Sequence, residues 1–339
     1  MADIATMHDT TFSVIICTKD RVAFLRDTIN AVSERLQVYP RAKIVVVYGT
    51  SSDGTETYLK SLAADNSRVV ALYEPKPGLY PARVTGLAHT AGDDVVIFVD
   101  DDVIPGAYWP EGLLSELAQN PDVGVVGTAI DPIWEGPQPS WMTVRFTRDI
   151  PFFSIPGGYE SYRFPCYPPG VCLALRVRDF LRLYASPERQ KMQLGLGAQN
   201  MMKKGLGLGG DDWDLSELYI RNGYRVVAID RVRVGHRVLP EKLTPAWLLR
   251  KFEINGRARI GYARLAGYPT LSRRVIMLLA LSPALFLASL VLRLSRCQGS
   301  KSLTVQAYAR QAGGTWKELL WGARGTRFPF TFDETRRAP

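Results

Sequence analysis

The chain has 339 residues, room for one large domain or one domain with an appendage at about 150 residues per domain. Hydrophobic residues at 46% and charged residues at 22% match a globular protein and exclude a disordered, collagenous or disulfide-scaffold chain. The net charge of +9 is unevenly placed: residues 1–240 hold 25 Lys+Arg against 28 Asp+Glu, whereas residues 241–339 hold 17 against 5. Four cysteines (Cys17, Cys166, Cys172, Cys297) without C-x-x-C spacing fit a reducing compartment. The polar, acidic start from Met1 to Thr11 has no secretory pattern.

The first half alternates β-branched apolar runs with amphipathic stretches. Strands are predicted at Phe12–Cys17, Lys43–Val47, Arg68–Tyr73, Val95–Val99 and Val123–Gly127, with helices beginning near Val22, Thr55, Tyr80 and Trp109. This is the pattern of βαβ units on a mostly parallel sheet covered by helices on both faces. Ligands on such a sheet bind outside the carboxyl ends of the strands, so the residues just after each strand are the first candidates for chemistry.

From Asp131 to Gly170 the sequence has eight prolines, many aromatics and no sustained period, which predicts a long irregular segment. Its rings, Trp134, Trp141, Phe152, Phe153, Tyr159 and Tyr162, suit either stacking on a sugar or isoprenoid or anchoring a loop. Regular structure is expected again at Val171–Leu175, then in a helix from near Asp212 to Asn222 capped by Gly223. Strands follow at Arg225–Ile229 and Val232–Gly235, ending at His236. After His236, Trp247, Arg250 and Arg257 lie on a helical stretch, either framing an acceptor diphosphate or facing solvent.

The last third contains 18 uncharged residues, Val275–Leu292, bounded by Arg273-Arg274 and Arg293. At 1.5 Å per residue they reach roughly 27 Å, barely the hydrocarbon core of about 30 Å, and Pro283 interrupts a straight span. A buried core helix, a kinked re-entrant helix and a helix lying among anionic headgroups remain open, and the local positive charge favours membrane contact. No nucleic-acid module accompanies that charge, so a nucleic-acid partner is not expected.

Two acidic runs stand out. Asp100-Asp101-Asp102 follows an apolar strand, and Asp100 and Asp102, two apart on an extended chain, point the same way and suit a hard divalent cation; a solvated acidic turn is the plain alternative. Asp211, Asp212 and Asp214 open the later helix, where one carboxylate serves as an N-cap and three exceed that need, leaving one for general-base work. His236 by itself reads as structural more readily than as a ligand. Gly205–Gly210 fits G-x-G-x-x-G, but no apolar strand precedes it, and the aspartates after it would repel a pyrophosphate, so a nicotinamide cofactor is rejected.

Taken together, these ordered motifs resemble inverting glycosyltransferases of family 2, which have the GT-A fold, from about Phe12 to Gly261. The run Ser13-Val-Ile-Ile-Cys-Thr-Lys-Asp-Arg21 is similar to the family's first strand and donor loop, and Ser51-Ser52-Asp53-Gly54-Thr55 to the turn after its second strand. Gly78-Leu79-Tyr80-Pro81-Ala82-Arg83 resembles the segment whose arginine faces the nucleotide. Asp100–Asp102 resembles the Asp-x-Asp motif, Gly210-Asp211-Asp212 the Gly-Glu-Asp base motif, and His236 the late metal-binding histidine. Three positions depart from the pattern: Tyr48 stands where the family places the aspartate that reads the base, Lys19-Asp20 replaces Tyr-Asn, and Asp211 replaces Glu.

The resemblance implies a GT-A catalytic domain over residues 1–240, with a donor half at about 12–128 and an acceptor half at about 129–240, followed by a basic helical region at 241–339. It implies direct displacement from a nucleotide-diphosphate sugar, a UDP-sugar first among donors, onto an acceptor hydroxyl, with Mn2+ or Mg2+ as cofactor. Asp212 is then the base, with Asp211 beside it, and Asp102 and His236 hold the metal. Thr18, Asp20, Arg21, Tyr48, Asp53, Arg83, Asp100 and Asp101 contact the donor, and Trp213, Trp141 and Arg250 the acceptor. A lipid-linked or other membrane-borne acceptor and a location at the inner face of the cell membrane complete the expectation; the alternatives are the same chemistry on a soluble small-molecule acceptor, or a non-catalytic relative that binds a nucleotide sugar.

Overall fold

The computed structural model describes residues 9–142, 155, 157–163, 166–185, 211–265, 268, 273–294 and 300–321. The chain divides into two compact units, one of Met1–Pro137 with Val144–Leu239 and one of Gln138–Thr143 with Pro240–Pro339.

The first unit begins with β1 (Phe12–Thr18), α1 (Val22–Arg35), β2 (Lys43–Tyr48), α2 (Thr55–Asp65), β3 (Val69–Tyr73), α3 (Leu79–His89) and β4 (Val95–Asp100). It continues through β5 (Val103–Pro105), α4 (Glu111–Gln119), β6 (Val123–Trp134), β7 (Tyr159–Tyr162), β8 (Cys172–Arg176), α5 (Val177–Tyr184), α6 (Asp211–Arg221) and β9 (Arg225–Val238). The nine strands form one sheet in the order β3-β2-β1-β4-β8-β6-β9-β5, with β7 also on β9.

The parallel prediction holds for β3, β2, β1 and β4. Beyond β4 the sheet is mixed: β8 runs antiparallel to both β4 and β6, β9 is parallel to β6, and β5 and β7 are antiparallel to β9. Both faces are covered, as continuous apolar strands require. Phe12, Val14 and Ile16 pack with Leu25 and Ile29 of α1 and Leu113 and Leu117 of α4. Ile15, Val45 and Phe98 pack on the other side with Leu87 of α3, Phe180 of α5 and Leu218 and Tyr219 of α6.

Two expectations are corrected here. The segment predicted irregular from Asp131 holds the end of β6 and the short strand β7. The two strands expected around Asp230 form one strand of 14 residues, because its backbone pairs with β6 along one edge and with β7 and then β5 along the other. Arg233 pairs with Asp131 at 2.6 Å, and Arg237 with Asp27 at 2.6 Å and Glu135 at 2.5 Å. After α6 the chain turns at Gly223, whose φ of +84° needs no side chain, as the sequence predicted.

The second unit consists of a short 3-10 turn (Pro240–Leu243) and α7 (Pro245–Leu265), α8 (Arg273–Leu294) and α9 (Ser300–Trp321). Helix α9 packs against α7 at small residues: a Cβ on Gly314 would meet Glu253 O at 2.0 Å, and one on Gly256 would meet Gln311 O at 2.2 Å. Its other contacts are with α8, where Ser282 Oγ accepts from Trp316 Nε1 at 3.1 Å.

Candidate active site

Most candidate groups of the first unit sit at or near a strand end or helix start, where the backbone fixes them, while Arg83 lies inside α3. Asp100 ends β4, its N–H donating to Val171 O at 3.0 Å beside β8. Three residues on, β5 pairs with β9 so that Val103 faces His236, and Arg237 N donates to Asp102 O at 3.1 Å. This ladder brings a residue 134 positions away against the acidic run. Asp100, Asp102 and His236 each place a ligand atom within 4.8 Å of the others, and His236 Nε2 lies 3.2 Å from Asp102 Oδ1. Asp102 and His236 are buried, and His236 Nδ1 has no hydrogen-bond partner.

The same run is gripped by the loop after β1. Thr18 Oγ1 donates to Asp101 Oδ2 at 2.7 Å, while Arg21 reaches Asp101 at 2.5 Å with one nitrogen and Asp102 at 2.7 Å with the other. Thr28 Oγ1 donates to Asp101 O at 2.9 Å. Desolvation pushes Asp100 up to about 7 and Asp101 to about 6, with Arg83 and Arg21 respectively as the main opposing charges. For Asp102, desolvation is outweighed by His236 and Arg21, which hold it well below the ordinary range. Crowded carboxylates that their neighbours only partly neutralise, beside an imidazole, form a hard-donor set that fits a divalent cation.

A second chain of contacts links this cluster to α6. Arg83 lies 3.6 Å from Asp100, over the Phe98 ring at 5.1 Å, and donates to Gly170 O at 2.7 Å. Gly170 N donates to Asp212 Oδ2 at 3.1 Å, and Trp213 N to Asp212 Oδ1 at 3.0 Å. One glycine thus joins the guanidinium and the carboxylate; a Cβ there would lie 3.0 Å from Arg83 and 3.1 Å from Asp212. Further along α6, buried Glu217 accepts from the Tyr167 hydroxyl and pairs with Arg221 at 2.6 Å, and the Tyr167 ring meets that of Trp213 at a tilt, centroids 5.8 Å apart.

The remaining candidates divide. Asp20 and Asp53 lock the loops after β1 and β2 together: Ser52 N donates to Asp20 at 2.6 Å, and Val22 N and Thr55 N to Asp53 at 2.7 and 3.1 Å. Tyr48 is buried at the end of β2, its ring 5.5 Å from that of half-exposed Tyr73, whose hydroxyl meets Thr50 Oγ1 at 2.9 Å. Trp141 and exposed Arg250 belong to the second unit. The Asp211 side chain and the Gly205–Gly210 run lie outside the described residues, as do Phe152 and Phe153. Thr28, Gly170 and Tyr167 escaped the sequence reading; the only signal for the last two was the Tyr-Pro-Pro-Gly ending of the irregular segment.

Residues 13–177 match the model of glycosyl transferase family 2. Glycosyltransferase AglE of Haloferax volcanii is 31% identical over 123 residues, which cover 35% of this chain and 36% of that protein. Glucosyl-dolichyl phosphate glucuronosyltransferase of the same organism is 25% identical over 136 residues, 40% of this chain and 42% of that protein. The chain therefore matches less than half the length of either relative. Among solved structures, mannosyltransferase PcManGT from Pyrobaculum calidifontis, in complex with GDP-Man and Mn2+, aligns over 93% of this chain and 89% of its own with a TM-score of 0.53 at 18% identity. GalNAc-T7 with UDP, GalNAc and Mn2+ aligns over 68% of this chain and 44% of its own with a TM-score of 0.51 at 19% identity. At these identities the likeness establishes the fold, an α/β sheet of GT-A type with flanking helices.

Proposed function

We propose that this chain, whose residues 13–177 match the model of glycosyl transferase family 2, moves a sugar with inversion from a nucleotide-diphosphate donor to an acceptor hydroxyl, using residues 1–240 as its catalytic domain. The observation that carries this reading is the juxtaposition of the Asp100, Asp102 and His236 cluster with Asp212 through Arg83 and Gly170. Asp102 and His236, with Asp100 beside them, would hold Mn2+ or Mg2+, which when bound neutralises charge on a diphosphate leaving group. Asp212 takes the proton from the acceptor hydroxyl; its two backbone donors fix the carboxylate for that task. Arg83, tethered at Gly170 O, presents positive charge beside Asp100 on the donor side. Arg21 and Thr18 keep Asp101 turned inward, leaving Asp100 as the carboxylate nearest a ribose.

The donor base is opened by Tyr48, and a UDP-sugar is the donor we favour. The acceptor we favour is lipid-linked and membrane-borne, with the chain at the cytoplasmic face. Its support is α8, of mean hydropathy 2.6 over Val275–Leu292, and the relative named for glucosyl-dolichyl phosphate.

Titration calorimetry of UDP, GDP, CDP and TDP, each with and without Mn2+, tests the donor site. Binding of one nucleotide that requires metal and is lost in Asp102→Ala is expected. Binding by none of the four, or unchanged binding in that variant, overturns the assignment.

A further inference from the structure

The apolar helix α8 is not a lone segment, and its packing decides how it meets a membrane. Val275, Ser282 and Ser289, seven residues apart, are buried, whereas Ile276, Met277, Leu281, Phe286, Leu287, Leu290 and Val291 are each 44–65% exposed. The seam runs along α9: Trp316 Nε1 donates to Ser282 Oγ at 3.1 Å, and Phe286 lies against Gly313. Pro283 has no N–H for Leu279 O, and Ser282 Oγ supplies that hydrogen bond at 2.7 Å, so the polar defect is repaired on the seam side. The outer face is left wholly apolar.

The middle of α8 thus lies level with residues 313–316 of α9. Within about 9 Å of Trp316 along α9 come Arg310, Lys317 and Glu318. Glu253 of α7 pairs with Lys317 and with Arg310, the latter at 3.3 Å, and Arg257 lies 3.6 Å from Glu318. Lys317 and Arg310 keep 52% and 45% of their side chains exposed. Were α8 to cross a bilayer, these groups would lie near its mid-plane, where charged side chains are strongly disfavoured.

We propose, deepening the membrane-borne acceptor reading on which it rests, that α8 lies in the plane of the lipid headgroups. Its Met277–Leu281–Leu287 face is sunk into one leaflet, and α9 and α7 supply the polar side. The occupant of the face is an anionic phospholipid surface. Arg273-Arg274 and Arg293 bracket the apolar run Val275–Leu292 in sequence, and residues 241–339 hold 17 basic against 5 acidic residues, a complement to lipid phosphate that a second copy of the same basic region lacks.

The test is flotation of the full-length chain with vesicles of phosphatidylcholine, alone or with about one third phosphatidylglycerol, followed by alkaline carbonate extraction. The triple variant Met277→Gln, Leu281→Gln, Leu287→Gln is run beside it. Wild type is expected to float with the anionic vesicles and to be released by carbonate. The variant is expected to lose about tenfold or more in partitioning while keeping its helicity and nucleotide binding. Retention after carbonate means a spanning helix and overturns this geometry alone, since a spanning anchor also serves a membrane-borne acceptor. Equal flotation of the variant overturns the assignment of the face. Failure to float, with dimerisation in sedimentation that the variant abolishes, means that a second copy covers α8 and removes the structural support for both readings. Nucleotide binding is scored separately and bears on the glycosyltransferase reading by itself.

Discussion

Replacing Tyr167 by Phe removes one hydroxyl and tests how the segment that positions Gly170 is tied to α6. Glu217 is fully buried; its Oε2 accepts from Tyr167, and its Oε1 lies 2.6 Å from Arg221. A hydrogen bond to a charged group contributes about 1.5–3 kcal/mol. For a unit of 150–250 residues each kcal/mol is about 2–4 °C in Tm, so Tyr167→Phe should melt about 3–12 °C below wild type. In a Glu217→Gln background the acceptor is neutral and the same substitution should cost less, leaving a coupling of about 1 kcal/mol in the double-mutant cycle. Calorimetric melting of the four proteins measures it. A Tyr167→Phe melt within 1 °C of wild type, or strict additivity, refutes the reasoning.

Asp212→Asn can accept only one of the two backbone N–H groups that orient the carboxylate and loses the proton acceptor, so turnover should fall by about 10²–10⁴ while nucleotide binding by calorimetry is unchanged. A Cβ at Gly124 would lie 2.1 Å from Cδ1 of Tyr219, which is fully buried and has nowhere to retreat; Gly124→Ala should therefore cost about 1–3 kcal/mol in urea unfolding. In the second unit, burial works to raise Glu253, but Lys317 and Arg310 outweigh it and hold the carboxyl below its ordinary 4.5. Its contribution to stability is then complete above pH 4.5 and is lost as pH falls through the lower folded value, and Glu253→Gln should flatten that acid limb in circular dichroism melts.

What the residues determine by themselves is local. Alternating and continuous apolar runs fix β1 to β4, their helices and the burial of both faces, because side-chain period and burial are set within a few residues. The carboxylates at the end of β4 and the helix from Asp211 to Arg221 with its turn at Gly223 follow from the same short-range rules of strand ends, caps and charge. Tertiary structure alone decided the rest. The antiparallel strands β8 and β5 set His236 against Asp102, Arg21 spans Asp101 and Asp102 from the loop after β1, and Gly170 joins Arg83 to Asp212. Helix α9 likewise decides which side of α8 is buried. Each of these depends on contacts between segments far apart in the chain, whose pairing is chosen by the packing of the whole sheet or helix layer and leaves no periodic trace in the sequence of either partner.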